Sequence, residues 1–183
     1  METDLQKLKM KDFRKTSWAL LIIDLQKAYM PFYLQGHVIG AVLSLREAAD
    51  EAGVPVIYIR DNNETVKEGR PGWDFYQALA PRDNEIVIDK HTSSGFIDTD
   101  LEDILSGFSV ETLVLTGIST THCYAATLYD GLSRGYNIIV VADGHSNHYP
   151  NAPVLINSFN ERLTVMDKVA VLDSEEIIFP RQR

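Results

Sequence analysis

The chain has 183 residues, 45% of them apolar, and a formal net charge of −9. That apolar content excludes intrinsic disorder, and the length suits one α/β domain over residues 1–183 with a sizeable core. The negative balance, with no basic patch, argues against a nucleic-acid or anionic-membrane partner and says little about a small-molecule site, whose local field can differ from the net. The single cysteine, Cys123, excludes an internal disulfide framework and suits a reducing compartment. Residues 1–15 are charged and lack the apolar segment of a secretory signal, and no apolar run is long enough to span a bilayer. The expectation is a soluble, cytoplasmic protein.

Residues 18–24 are a continuous apolar run ending at Asp24, the pattern of a strand buried on both faces of a parallel sheet. Residues 25–33 read as loop, punctuated by Pro31. Residues 38–52 have helical spacing and stop at Gly53, a residue suited to a left-handed cap. Residues 54–59 give a second strand, followed by the polar Arg60-Asp61-Asn62-Asn63. Between 64 and 82, Gly69, Pro71, Gly72 and Pro81 mark a long connection carrying Trp73, Phe75 and Tyr76. Connections this long often line or cover sites. Residues 85–90 form a third strand ending at Lys90. After a loop over 91–95, residues 99–105 read as a helix capped by Asp98, Thr99 or Asp100. A fourth strand, 112–116, stops at Gly117, and a helix runs from about Cys123 to about Arg134. Residues 137–143 are a fifth strand, 153–163 a helix and 165–172 a sixth strand. Strands of buried type alternating with helices predict a doubly wound, three-layer α/β/α fold.

Cys123 sits where a helix begins. Unpaired backbone N–H groups and the positive end of the helix dipole favour a thiolate there, lowering the expected pKa and offering donors to an oxyanion. The competing reading is an inert, buried cysteine. Asp24 and Lys90 end separate strands, and in this architecture strand ends converge on one crevice. Each alone is explained as a solvated charge; together with Cys123 they form a candidate constellation. A Cys-His pair using His122 is disfavoured, because adjacent helical residues project about 100° apart. His122 is expected at a pocket wall or on the surface.

On the pieces Leu21-Ile22-Ile23-Asp24-Leu25-Gln26, Ile88-Asp89-Lys90, Ser94-Gly95-Phe96, Gly117-Ile118-Ser119-Thr120-Thr121-His122-Cys123, Gly135-Tyr136 and Val141-Ala142-Asp143, the sequence resembles the isochorismatase-like cysteine hydrolases. That group includes nicotinamidases, N-carbamoylsarcosine amidases, ureidoacrylate amidohydrolases and isochorismatase. The resemblance implies a six-stranded parallel sheet and an Asp-Lys-Cys triad: Asp24 as general base, Lys90 holding Asp24 and stabilising the thiolate, Cys123 as nucleophile. It also implies an oxyanion hole from the backbone N–H groups of Ser119 and Cys123, a cis peptide at Ile118–Ser119, and a homo-oligomer, dimer or tetramer. The pattern also departs from nicotinamidases. Their metal motif, Asp-x-His, is replaced by Asp61-Asn62-Asn63, and no histidine lies between His37 and His91. No metal and no cofactor are therefore expected; His145 and His148, three apart, make a weak pair without a third ligand. Tyr124 stands where the family usually has valine, and Gly131 where it often has alanine. Phe32, Trp73 and Tyr124 are the expected pocket residues. Retention of Cys123 favours cleavage of a C–N bond in a small amide or N-carbamoyl compound, through a thioester or thiocarbamate. The alternatives are vinyl-ether hydrolysis and a non-catalytic or redox thiol protein on the same scaffold.

Overall fold

The structure is a computed structural model and describes residues 4–182. In chain order its elements are α1 (Asp4–Phe13), β1 (Ser17–Ile23), α2 (Gln35–Ala52), β2 (Val56–Asp61), β3 (Ile86–Lys90), α3 (Leu101–Gly107), β4 (Val110–Ile118), α4 (Ala125–Ser133), β5 (Asn137–Ser146), α5 (Ala152–Thr164) and β6 (Val169–Leu172). The six strands form one parallel sheet in the order β3-β2-β1-β4-β5-β6. No helix among the described residues is long and apolar enough to cross a membrane.

The unbroken apolar runs are explained by burial on both faces. In β1, Trp18, Leu20 and Ile22 pack with Met10 and Phe13 of α1 and Val42 and Leu45 of α2. Ala19, Leu21 and Ile23 face the opposite layer, with Leu101 and Leu105 of α3, Leu128 of α4 and Phe159 and Leu163 of α5. A bidentate ion pair from Arg46 of α2 to Glu85 (2.5 and 2.6 Å), its two side chains 5% and 3% exposed, anchors α2 to the approach to β3.

Several boundaries differ from the sequence reading. The charged stretch before β1 contains α1, of which Lys9 and the buried Gln6 act as anchors. Lys9 donates to the carbonyls of Thr164, Met166 and Val169 at 2.7–3.0 Å, closing the turn between α5 and β6. That turn includes Lys168 in the left-handed region, so β6 starts at Val169 and not at 165. β2 continues through Asp61, pairing Asp61 with Lys90 of β3. β5 runs past Asp143 to Ser146, because a register shift between Leu115 and Gly117 lets the strand rejoin β4 at His145 and Ser146.

The sheet order reverses between β1 and β4. An open α/β sheet places its ligand crevice outside the carboxyl ends of the strands on either side of such a reversal. Gly117 closes the approach there. Its φ is +118°, and a Cβ would lie 2.1 Å from the carbonyl oxygen of Ile23. Gly117→Ala is therefore expected to cost about 3 kcal/mol or more. Urea denaturation measures it, and an unchanged midpoint would contradict this packing.

Candidate active site

Four chemically active side chains meet at the reversal. Asp24 directly follows β1 and takes a left-handed φ of 53°, a conformation that an Asp tolerates better than most residues. Its carboxylate is turned inward and is 2% exposed. Lys90 ends β3, wholly buried. Cys123 lies in a wide helical turn over Thr120–Tyr124 that leads from β4 into α4. Asp61, at the end of β2, is the fourth.

The Lys90 ammonium organises the cluster. Its Nζ lies 3.0 Å from Asp24 Oδ2, 2.8 Å from Asp61 Oδ1 and 3.4 Å from Cys123 Sγ. Asp24, Asp61 and Cys123 each offer one atom within 4.8 Å of the other two. Those three donors could surround a metal ion, but the protein's own ammonium already stands against each of them. The histidine pair is committed elsewhere. His145 uses both ring nitrogens, on Thr120 Oγ1 and Asn160 Oδ1, each at 2.8 Å. His148 Nε2 faces the Tyr29 carbonyl at 2.6 Å.

Electrostatics follow from burial and crowding. The Asp24 pKa is raised to about 6: burial pushes it up most, Lys90 pulls it down, and Asp61 adds to the rise. Asp24 Oδ2 stands 3.0 Å from the Lys90 ammonium, and the carboxylate also faces the Cys123 thiol. Burial works against the Lys90 ammonium, but Asp24, the sulfur and Asp61 outweigh it and raise its pKa. The Cys123 thiol is pushed up to about 12, by burial first and then by the Asp24 charge, with Lys90 opposing. This overturns the expectation of a thiolate prepared by the helix start. The cysteine precedes α4 by two residues, and burial beside the Asp24 carboxylate raises the thiol.

A cavity of about 270 Å³ opens onto the sulfur, lined by Asp24, Tyr29, Ile118, Ser119, His122, Cys123, His148 and Tyr149. Larger hollows of about 510 and 540 Å³ are lined by none of the four clustered side chains. His122 is exposed at the mouth, its ring tilted against Tyr149 at 5.9 Å, as wall and not as base. The Ile118–Ser119 peptide is cis. Ser119 Oγ donates to Asn147 Oδ1 at 2.6 Å, and Thr121 Oγ1 does so at 3.3 Å, so a fully buried Asn147 pins the turn that carries the cysteine.

The expected pocket residues lie elsewhere. Tyr124 is fully buried behind the turn, donating to the Leu115 carbonyl at 3.1 Å and stacked on His145. Phe32 sits one layer back, edge-on to His148. Trp73 lies under the Arg60 guanidinium, 3.5 Å from its ring centroid. Phe32 and Tyr124 are buried behind the wall, whereas Trp73 is half-buried and held by its contact with Arg60. Asp61, Tyr29, Asn147 and Tyr149 escaped sequence reasoning, and His148, read there only as half of a weak metal pair, lines the cavity. For Asp61 a signal existed: like Asp24 and Lys90, it is a charged residue ending an apolar run.

Comparison with known proteins identifies the family. The isochorismatase domain matches residues 18–154. Streptothricin hydrolase of Streptomyces noursei is 29% identical over 74% of this chain, which spans only 57% of that relative's length. Maleamate amidohydrolase of Pseudomonas putida is 30% identical, covering 84% of this chain and 86% of the relative. The crystal structure of N-carbamoylsarcosine amidase from Thermoplasma acidophilum superposes with a TM-score of 0.77 at 26% identity, covering 88% of this chain and 98% of that one. Because the domain match runs from β1 into α5 and takes in every member of the ammonium cluster, the chain belongs to the isochorismatase family.

Proposed function

We propose that the chain is an amidohydrolase that cleaves a C–N bond of a small amide or N-carbamoyl compound with Cys123 as nucleophile, Asp24 as proton carrier and Lys90 as their shared counter-ion. The observation that carries this reading is the contact of one buried ammonium with both the carboxylate and the sulfur, at the floor of a substrate-sized cavity. The amidohydrolases among its relatives point to the same bond class.

In the first half-reaction the thiol proton passes to Asp24 as sulfur attacks the carbonyl carbon, forming the C–S bond. Lys90 stays charged throughout and offsets the negative charge as it moves from oxygen to sulfur. Negative charge then develops on the carbonyl oxygen, where the backbone N–H groups of Ser119 and Cys123 are the proposed donors. Collapse breaks the C–N bond, and Asp24 returns the proton to the leaving nitrogen. In the second half-reaction water gives a proton to Asp24 and its oxygen to the carbonyl, the C–S bond breaks, and the thiol is restored.

The raised thiol pKa fits this scheme. A thiol that stays protonated at rest is deprotonated only when an electrophile is in place, and Asp24 is the partner that receives the proton.

Three outcomes are expected. Cys123→Ala, tested against a panel of amides and ureido acids by ammonia release, should lose turnover by about a thousandfold or more with the fold intact; undiminished turnover would refute the nucleophile. In the resting protein, ultraviolet difference spectra against Cys123→Ser should show no thiolate at pH 8, since the thiol is pushed up to about 12; a thiolate band there would contradict it. Turnover should fall as pH drops through about 6, because an acid whose pKa is raised to that value is protonated below it and cannot accept another proton. A rate independent of pH between about 5 and 7 would remove Asp24 from the role of base.

A further inference from the structure

The triad reading leaves one buried carboxylate without a task. Asp61 is 7% exposed and stands as close to the Lys90 ammonium as Asp24 does. Its placement is built with care. The Gln26 side chain clamps its peptide from both sides, accepting from Asp61 N at 2.8 Å and donating to Asp61 O at 3.0 Å. The second carboxylate oxygen, Oδ2, accepts from the Tyr29 hydroxyl at 2.5 Å, and Tyr29 lines the cavity. Taking two carboxylates and one ammonium out of water is costly, and a lone Lys-Asp pair would be cheaper.

We propose that Asp61 is a positioning residue that acts through Lys90: by sharing the ammonium with Asp24, it keeps Asp24 basic enough to take the thiol proton. The physical reason is charge balance. An ammonium held by a single carboxylate neutralises it almost fully and leaves a weak base. Held between two, it neutralises each less. The proton that leaves Sγ arrives on Asp24, so the charge of the cluster is the same before and after transfer, and Asp61 shifts only where the proton prefers to sit. Tyr29 moderates this by drawing on the other Asp61 oxygen. The groups facing Asp24 are Asp61 from β2, Lys90 from β3, Tyr29 from the turn after β1 and Cys123 from the turn after β4, with His122, His148 and Tyr149 farther out on the same cavity wall. The inference rests on Asp24 as the proton acceptor, not on which amide is cleaved.

The test reads the proton acceptor without a substrate. Cys123 is the only cysteine, so its alkylation by iodoacetamide is unambiguous. With Asp24 protonated the thiol has nowhere to send its proton, so the alkylation rate of the natural protein should fall below about pH 6. In Asp61→Asn that acid limb should move down by about one unit, the scale of a neighbouring charge. Asp61→Glu should restore it. Tyr29→Phe should move it the other way, upward, because Asp61 then bears on Asp24 undiluted. On an amide that proves to be a substrate, Asp61→Asn should lower kcat with KM little changed. A purely structural Asp61 would slow the reaction with the limb unmoved, and that result overturns the proposal. Should Asp61→Asn not fold, Tyr29→Phe decides alone: an unmoved or lowered limb overturns the proposal. Hydrolysis failing on every amide while the limb moves as stated would refute the amidohydrolase reading and leave this one standing.

Discussion

A single ammonium, buried to the last atom of its side chain, governs this molecule. Lys90 reaches the switch point of the sheet from β3, two strands away from β1, and meets carboxylates delivered by β1 and β2 and a sulfur delivered by the turn after β4. A charge in that position is tolerable only if its partners arrive with it. The parallel sheet supplies this: all its strands end on the same side, so groups distant in sequence are brought to one spot by register alone. Arg46 with Glu85, the clamp of Gln26 on Asp61, and Asn147 beneath the cysteine turn hold the surrounding backbone in place.

The cluster also changes how the cysteine is understood. Activation by a helix terminus would give a standing thiolate. Burial and two carboxylates give the opposite, a resting thiol with its pKa near 12 beside an unusually basic Asp24. Such an arrangement couples proton loss to bond formation. In the proposed mechanism the reactive form of the sulfur exists only in passing.

Much of the architecture is legible in the amino-acid order because parallel strands advertise themselves: a run such as Trp18 to Ile23 has no polar face to conceal. The residues that end these runs, Asp24 and Lys90, reveal the crevice by the same logic. Asp61 carried that mark too, yet the polar Asn62-Asn63 after it read as loop and hid the extra strand pairing with Lys90. α1 was hidden because its charges mask two anchors: Lys9, which donates to the carbonyls of the α5–β6 turn, and the buried Gln6, which donates to the Thr164 carbonyl. The cavity wall was least accessible. Whether a ring such as Tyr124 faces a cavity or the layer behind it depends on one rotation of a turn, and pattern alone does not encode that. The actual wall residues, Tyr29, His148 and Tyr149, come from short connections without periodicity.

The central claim is that sulfur forms a bond to the substrate's carbonyl carbon. Its most direct test is mass spectrometry of the protein quenched with acid during steady-state turnover of an amide. The account predicts a transient mass increase equal to the acyl or carbamoyl group, confined to the peptide containing Cys123 and gone once substrate is exhausted. Sustained turnover with that peptide unmodified at every quench time, or with the added mass on another residue, would contradict it.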